Sequence, residues 1–134
     1  MHYAVLPGMV ERRNGRVINI ASDAGRVGSS GEAVYSACKG GIAAFSKTLS
    51  RELVRHNILL NTVCPGPTDT ALLADVTSGE AGKRIIDAMT KAVPMRRIGQ
   101  PDDYPGIIAF LASDDAGFIV GQTISVSGGL TMVG

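Results

Sequence analysis

Apolar and β-branched residues gather in three short runs of this 134-residue chain. The runs read RVINIAS at 16–22, ILLNTVCP at 58–65 and GQTISVSGG at 121–129. Runs of this length, bounded by glycine, proline or small polar residues, predict β-strands. The run at 58–65 is almost continuously apolar, which is typical of a strand that is covered on both faces.

Between these runs, apolar residues recur at the spacing of a helix. The longest such segment extends from about 32 to 56 without a proline, and its apolar positions include Tyr35, Ile42, Phe45, Leu49 and Leu53. Further helices are predicted at about 1–13, 71–76, 83–93 and 101–113. We expect a bend or a broken first turn in the last of these, because Pro105 lies about one turn after Pro101 and withholds a backbone donor.

The order of these elements is strand, helix, strand, helix, strand, which predicts an α/β fold. Strands joined through helices favour parallel pairing with right-handed crossovers, so we expect a Rossmann-like parallel sheet of about three strands with flanking helices. No repeat or linker divides residues 1–134, which are expected to form a single domain. Open sheets of this kind bind ligands at the carboxyl ends of their strands. Those ends read IAS, CPGPTDT and SVSGG.

The composition argues against several kinds of partner. With 13 basic and 12 acidic residues, the formal net charge is +1, which gives no electrostatic basis for binding nucleic acid or an anionic membrane. No apolar run reaches the roughly 20 residues of a membrane span, and the N-terminal segment does not resemble a secretory signal, so we expect a cytoplasmic protein. Cys38 and Cys64 are expected to be free thiols. We expect no metal site, because no second ligand lies near either cysteine and none pairs with His2 or His56.

A possible proton-transfer group lies on the long predicted helix. Tyr35 and Lys39 are four residues apart, so they share one face of that helix. A free tyrosine stays protonated at neutral pH, but a neighbouring ammonium group favours the phenolate. Ser22 ends the preceding strand, and its hydroxyl is expected to hydrogen-bond the oxygen that Tyr35 protonates or deprotonates. The small residues around this pair have a plainer explanation for Gly40, Gly41 and Ala43, namely tight packing of helices.

The residues and their order resemble the short-chain dehydrogenase/reductase family. Ser22, YSACK thirteen residues later, VCPGPTDT after the next strand and a closing VSGG occur in that order over essentially the whole chain. This resemblance implies that Tyr35 is the catalytic acid and base, that Lys39 binds the nicotinamide ribose, and that Ser22 holds the substrate oxygen. The cofactor would be NAD or NADP.

The resemblance also assigns a role to the segment PGPTDT. It implies that the backbone near Pro65, Gly66 and Thr68 and the hydroxyl of Thr70 hold the nicotinamide carboxamide. Thr70 is equally suited to cap a following helix, and the two roles are compatible.

The loop SDAGRVGSSGE, together with the two segments after the later strands, is similar to family members that oxidise a ring hydroxyl on a CoA thioester with NAD. That resemblance implies a small-molecule alcohol or ketone as substrate, with a CoA thioester as one form of it. It also favours NAD over NADP.

The sequence also departs from the family. It has no glycine-rich turn of the TGxxxGxG type after a first strand, and no asparagine stands where the family's catalytic tetrad has one. We therefore expect the catalytic half of the family's domain without its dinucleotide-binding half. An open strand edge and apolar helix surfaces favour a homo-oligomer. The alternative is a non-catalytic remnant or interaction module that binds another polypeptide.

Overall fold

The structure is a computed structural model, and it describes residues 1–71, 73, 77 and 79–133. Within these residues, three parallel strands form one sheet in the order β1, β2, β3. Their bounds are Gly15–Ile20 for β1, Ile58–Pro65 for β2 and Thr123–Val126 for β3. The predicted α/β fold with a parallel sheet is confirmed.

Five α-helices have bounds within the described residues. They are α1 at His2–Glu11, α2 at Ala24–Val27, α3 at Ala33–Leu53, α4 at Gly79–Ala92 and α5 at Pro105–Ala112. Short 3-10 turns follow α3 at Val54–His56, precede α5 at Pro101–Asp103 and follow α5 at Asp114–Ala116. No helix of the part that the structure describes is long and apolar enough to cross a membrane.

The two faces of the sheet are packed in different ways. On the face toward α5, an apolar core is built on Val63, Leu111 and Ala116, and partly buried isoleucines surround it. The face toward α3 includes polar contacts: the Asn19 side chain donates to Ser46 Oγ at 2.7 Å, and the Ser50 hydroxyl lies 2.7 Å from the Ser46 carbonyl and 3.0 Å from the Leu60 carbonyl. Buried serines therefore let α3 lie close to the sheet.

The long predicted helix is confirmed, but only part of its apolar stripe is covered. The buried residues of α3 are Ser46 and Ser50, whereas Phe45 remains 48% exposed. Ile42, Leu49 and Leu53 are partly buried and lie three or four residues from these serines. The apolar periodicity therefore identified the helix and part of the side that faces the sheet.

Several boundaries differ from the sequence prediction. The segment after β1, predicted as a loop, contains the short helix α2, and α4 begins at Gly79, four residues before its predicted start. The helix predicted at 71–76 falls mostly on residues 72 and 74–76, which lie outside the described part of the chain. The break predicted near Pro105 is confirmed: a 3-10 turn ends at Asp103, and α5 begins with Pro105 in its first turn.

Candidate active site

Tyr35 and Lys39 lie together at the start of α3. The ammonium nitrogen of Lys39 is 5.7 Å from the centre of the Tyr35 ring, a distance at which a cation and an aromatic face attract each other. The same nitrogen donates a hydrogen bond to the Ile20 carbonyl at 3.1 Å. Lys39 therefore joins α3 to the carboxyl end of β1, and the Tyr35 side chain stays 44% exposed beside it.

Ser22 lies two residues beyond the carbonyl that Lys39 binds. The backbone before it is anchored to β2, because the Ala21 amide donates to the Val63 carbonyl at 2.8 Å. The Ser22 hydroxyl accepts a hydrogen bond from the Ala24 amide at 3.2 Å. The three predicted catalytic residues thus come from two elements that meet at the carboxyl edge of the sheet.

Two glycines hold the segment after Ser22 against α3. A Cβ atom added to Gly25 would lie 2.5 Å from the amide nitrogen of Gly40 and 2.6 Å from the carbonyl carbon of Lys39. Only glycine at this position allows α2 and α3 to approach so closely. The tight-packing prediction is therefore confirmed for Gly40. It does not hold for Gly41, where a Cβ would meet nothing within 4 Å.

The turn at 65–70 follows β2 and lies beside the end of β3. Its Gly66 amide donates to the Val126 carbonyl at 3.1 Å. The Thr68 hydroxyl donates to the Gly66 carbonyl at 2.9 Å and forms a second hydrogen bond with the Tyr104 hydroxyl. A hydroxyl has one proton to donate, so Tyr104 is the donor in the second bond.

The segment around Gly99 holds the other side of this turn. The Gly99 amide donates to the Pro67 carbonyl at 2.8 Å, and the Asp69 amide donates to the Gly99 carbonyl at 2.9 Å. Thr70 has the capping geometry foreseen as its alternative role, since its hydroxyl accepts the Leu73 amide at 3.4 Å. A cavity of about 210 Å³ opens beside the turn, and its lining contains none of the predicted catalytic residues.

A polar cluster that sequence reasoning missed lies behind Ser22. Asp23, only 4% exposed, accepts a hydrogen bond from the Ser125 hydroxyl. Arg26 donates to the same hydroxyl at 2.7 Å. In the sequence, the one sign of this cluster is the position of Asp23 directly after Ser22.

The Cys64 thiol lies near this cluster. Burial raises the pKa of the Cys64 thiol and the charge of Asp23 adds to this shift, so Cys64 is poorly suited to act as a nucleophile.

Comparison with known proteins places the chain in a family. A family model described as enoyl-(acyl carrier protein) reductase matches residues 1–131. The chain belongs to the short-chain dehydrogenase/reductase family. This confirms the resemblance seen in the motifs, and it extends over the strands and turns that form the site.

Individual relatives show the same coverage. Acetoacetyl-CoA reductase of Shinella zoogloeoides is 41% identical over 96% of this chain and 52% of its own length. The 3-oxoacyl-(acyl-carrier-protein) reductase of Vibrio cholerae is 37% identical over 97% of this chain and 51% of its own length. The crystal structure of NAD⁺-bound xylitol dehydrogenase superposes with a TM-score of 0.88 at 32% identity, over 95% of this chain and 53% of that one. The chain spans about half the length of these relatives.

Proposed function

We propose that this chain carries the catalytic site of an NAD(P)-dependent oxidoreductase that interconverts a secondary alcohol and a ketone. The observation that carries the proposal is the placement of Tyr35 and Lys39. The phenol is exposed, the ammonium group lies 5.7 Å from its ring, and Lys39 is fixed to the end of β1 next to Ser22. A phenol beside a fixed positive charge at the ligand-binding edge of a parallel sheet is suited to proton transfer.

Each of the three residues has a distinct task in this proposal. Tyr35 gives a proton to the substrate oxygen during reduction and takes it back during oxidation. Ser22 donates a hydrogen bond to the same oxygen and so orients it toward Tyr35. Lys39 holds its positive charge beside the Tyr35 ring and binds the nicotinamide ribose. A bound nicotinamide cofactor would supply the hydride for reduction and accept it in oxidation.

The turn at 65–70 fits one end of that cofactor. The Thr68 hydroxyl is engaged with Gly66 and Tyr104, so the turn would offer its backbone, near Pro65, Gly66 and Thr68. Among the described residues, no hydrogen bond from the Thr68 amide is found. That amide and the Thr70 hydroxyl are the groups we assign to the nicotinamide carboxamide. The NAD⁺-bound structural relative favours NAD over NADP.

For the substrate, we propose a 3-oxoacyl thioester and its 3-hydroxy counterpart. Two relatives that cover nearly the whole chain carry such substrates in their names, acetoacetyl-CoA and a 3-oxoacyl group on acyl carrier protein. A second candidate comes from the loop after Ser22, whose sequence resembles 2-hydroxycyclohexanecarboxyl-CoA dehydrogenases. That resemblance would place a cyclic hydroxyacyl-CoA in the same site. Both candidates share a thioester and a secondary alcohol.

We also propose that the chain self-associates. Large apolar side chains lie open to solvent on several elements, with Tyr3 at 94%, Val34 at 79% and Phe118 at 104% exposure. Such surfaces are typical of protein–protein contacts.

The affinity for the dinucleotide should be weak, because the proposed contacts reach only the nicotinamide end of the cofactor.

The test compares the unsubstituted protein with Tyr35→Phe and Tyr3→Phe. Oxidation of NADH and NADPH is followed with acetoacetyl-CoA and with a cyclic 2-oxoacyl-CoA. Loss of general acid catalysis should lower kcat of Tyr35→Phe by about 10²- to 10⁴-fold. Tyr3→Phe is the matched control, because Tyr3 lies on α1 and is almost fully exposed. An unsubstituted protein without turnover, or a Tyr35→Phe variant with most of its turnover, would contradict the proposal.

A further inference from the structure

The polar cluster behind Ser22 connects three segments that are distant in sequence. Asp23 follows Ser22, Arg26 lies in α2, and Ser125 lies in β3, 102 residues after Asp23. Arg26 reaches further, since its second terminal nitrogen donates to the Val133 carbonyl at 2.7 Å. The cluster therefore joins the loop after β1 to β3 and to the segment that follows β3.

The direction of its hydrogen bonds is fixed by chemistry. A guanidinium group can only donate, a carboxylate can only accept, and a serine hydroxyl has one proton to give. The proton of Ser125 must therefore point at Asp23 while its oxygen accepts from Arg26. Ser125 therefore links the two charged groups. Removal of either charged side chain would leave the other without this link.

Asp23 depends strongly on this link. Its residue surface is 4% exposed, and its second oxygen, Oδ2, is buried without a hydrogen-bond partner among the described residues. The backbone amide of Asp23 donates to the Pro65 carbonyl at 3.4 Å, which is longer than the usual range for such a bond. The Asp23 carbonyl accepts hydrogen bonds from the Arg26 and Val27 amides within α2, whereas the bond from Ser125 ties the Asp23 side chain to β3.

We propose that Arg26, Ser125 and Asp23 form a positioning relay that fixes Ser22 at the carboxyl edge of the sheet. Ser22 is held from the front by the Ala21 amide bond to β2 and from behind by Asp23. The Ser22 hydroxyl also accepts a hydrogen bond from the Ala24 amide. Asp23 lies between these two residues in the chain, so a shift of Asp23 would move both of them. The effect of the relay on catalysis rests on the proposed function of Ser22. Its effect on the position of the segment after β1 does not.

The experiment uses Ser125→Ala, Ser125→Thr and Thr123→Val. Ser125→Ala removes the linking hydroxyl, and Ser125→Thr restores it. Thr123 lies two residues away in the same strand, and its buried hydroxyl has no partner among the described residues, so Thr123→Val is a matched control. Amide hydrogen exchange by NMR reports on the Ala24 amide, which binds Ser22, and on the Gly121 amide, which donates to the Leu60 carbonyl and serves as a remote reference.

In Ser125→Ala, exchange at the Ala24 amide should rise by about ten- to a hundredfold, the range that follows from leaving a buried polar group unsatisfied. Exchange at Gly121 should stay within about twofold, and Ser125→Thr should return Ala24 toward the unsubstituted rate. An unchanged Ala24 rate would overturn the proposal. An equal rise at both amides, or the same rise in Thr123→Val, would also overturn it, because it would indicate general loosening of the fold.

Turnover measured in parallel separates this inference from the proposed function. If the proteins reduce acetoacetyl-CoA, Ser125→Ala should lower kcat more than it raises KM, since Ser22 acts on the reacting oxygen. A change confined to KM would count against positioning of Ser22. If the unsubstituted protein shows no turnover, the proposed function fails, and the exchange rates alone still decide whether the relay holds the segment.

Discussion

Replacing Gly25 with alanine should destabilise this protein more than any other glycine-to-alanine change in α2 or α3. The added methyl group would lie 2.5 Å from the Gly40 amide nitrogen and 2.6 Å from the Lys39 carbonyl carbon. Both atoms belong to the backbone of a 21-residue helix, so neither can rotate out of the way. Accommodation therefore requires α2 to move away from α3.

The structure supplies a graded series with its own control. At Gly40, the Cβ would lie 3.0 Å from the Gly25 carbonyl oxygen, and at Gly41 it would meet nothing within 4 Å. Overpacking should cost Gly25→Ala about 1–3 kcal/mol in the free energy of unfolding. Gly41→Ala removes an exposed glycine from a helix interior and should add about 0.8–1 kcal/mol. Gly40→Ala should fall between them, because the same helix gain is offset by a tighter contact.

Urea unfolding followed by far-UV circular dichroism measures all three variants against the unsubstituted protein. The expected order of midpoints is Gly25→Ala below Gly40→Ala below Gly41→Ala, with similar slopes, so that the midpoints report stability. If Gly25→Ala were as stable as Gly41→Ala, the close approach of α2 and α3 would not be a feature of the folded protein. The same result would weaken the argument that this contact holds the segment after Ser22.

Two further predictions concern the surface. Arg97 hydrogen-bonds both oxygens of Asp103, and with a bond from the Gln100 amide it lowers the pKa of that carboxyl to about 2. Because this pKa is lowered on folding, the ion pair stabilises the fold above the unfolded value of 3.8, and this stabilisation is lost as the pH falls through about 2. Arg97→Ala should therefore unfold at a higher pH in an acid titration followed by circular dichroism. An unchanged midpoint would contradict this prediction. Self-association should appear in light scattering as a mass above that of one chain and should weaken in Phe118→Ser. A monomer at micromolar concentration would argue against it.

The local parts of the fold could be predicted from the sequence because they depend on local patterns. The strand predicted at 58–65 coincides with β2, since a continuous apolar run between a turn and Pro65 has few other interpretations. The break before α5 followed from the spacing of two prolines. The helix α2 was missed because its glycine discourages a helix locally, and the contact with Gly40 that requires glycine there comes from a distant segment.

The same distinction separates the parts of the site. Tyr35 and Lys39 could be found because proton transfer needs particular residue types, and their four-residue spacing on one helix is visible in the sequence. The residues that support Ser22 or the turn at 65–70 need only supply a donor or an acceptor at the right place, which many residue types can do. The contact of Tyr104 with Thr68 spans 36 residues and that of Ser125 with Asp23 spans 102. Such partners become recognisable only when the fold brings them together, so the chemistry of a site is easier to predict from a sequence than the contacts that position it.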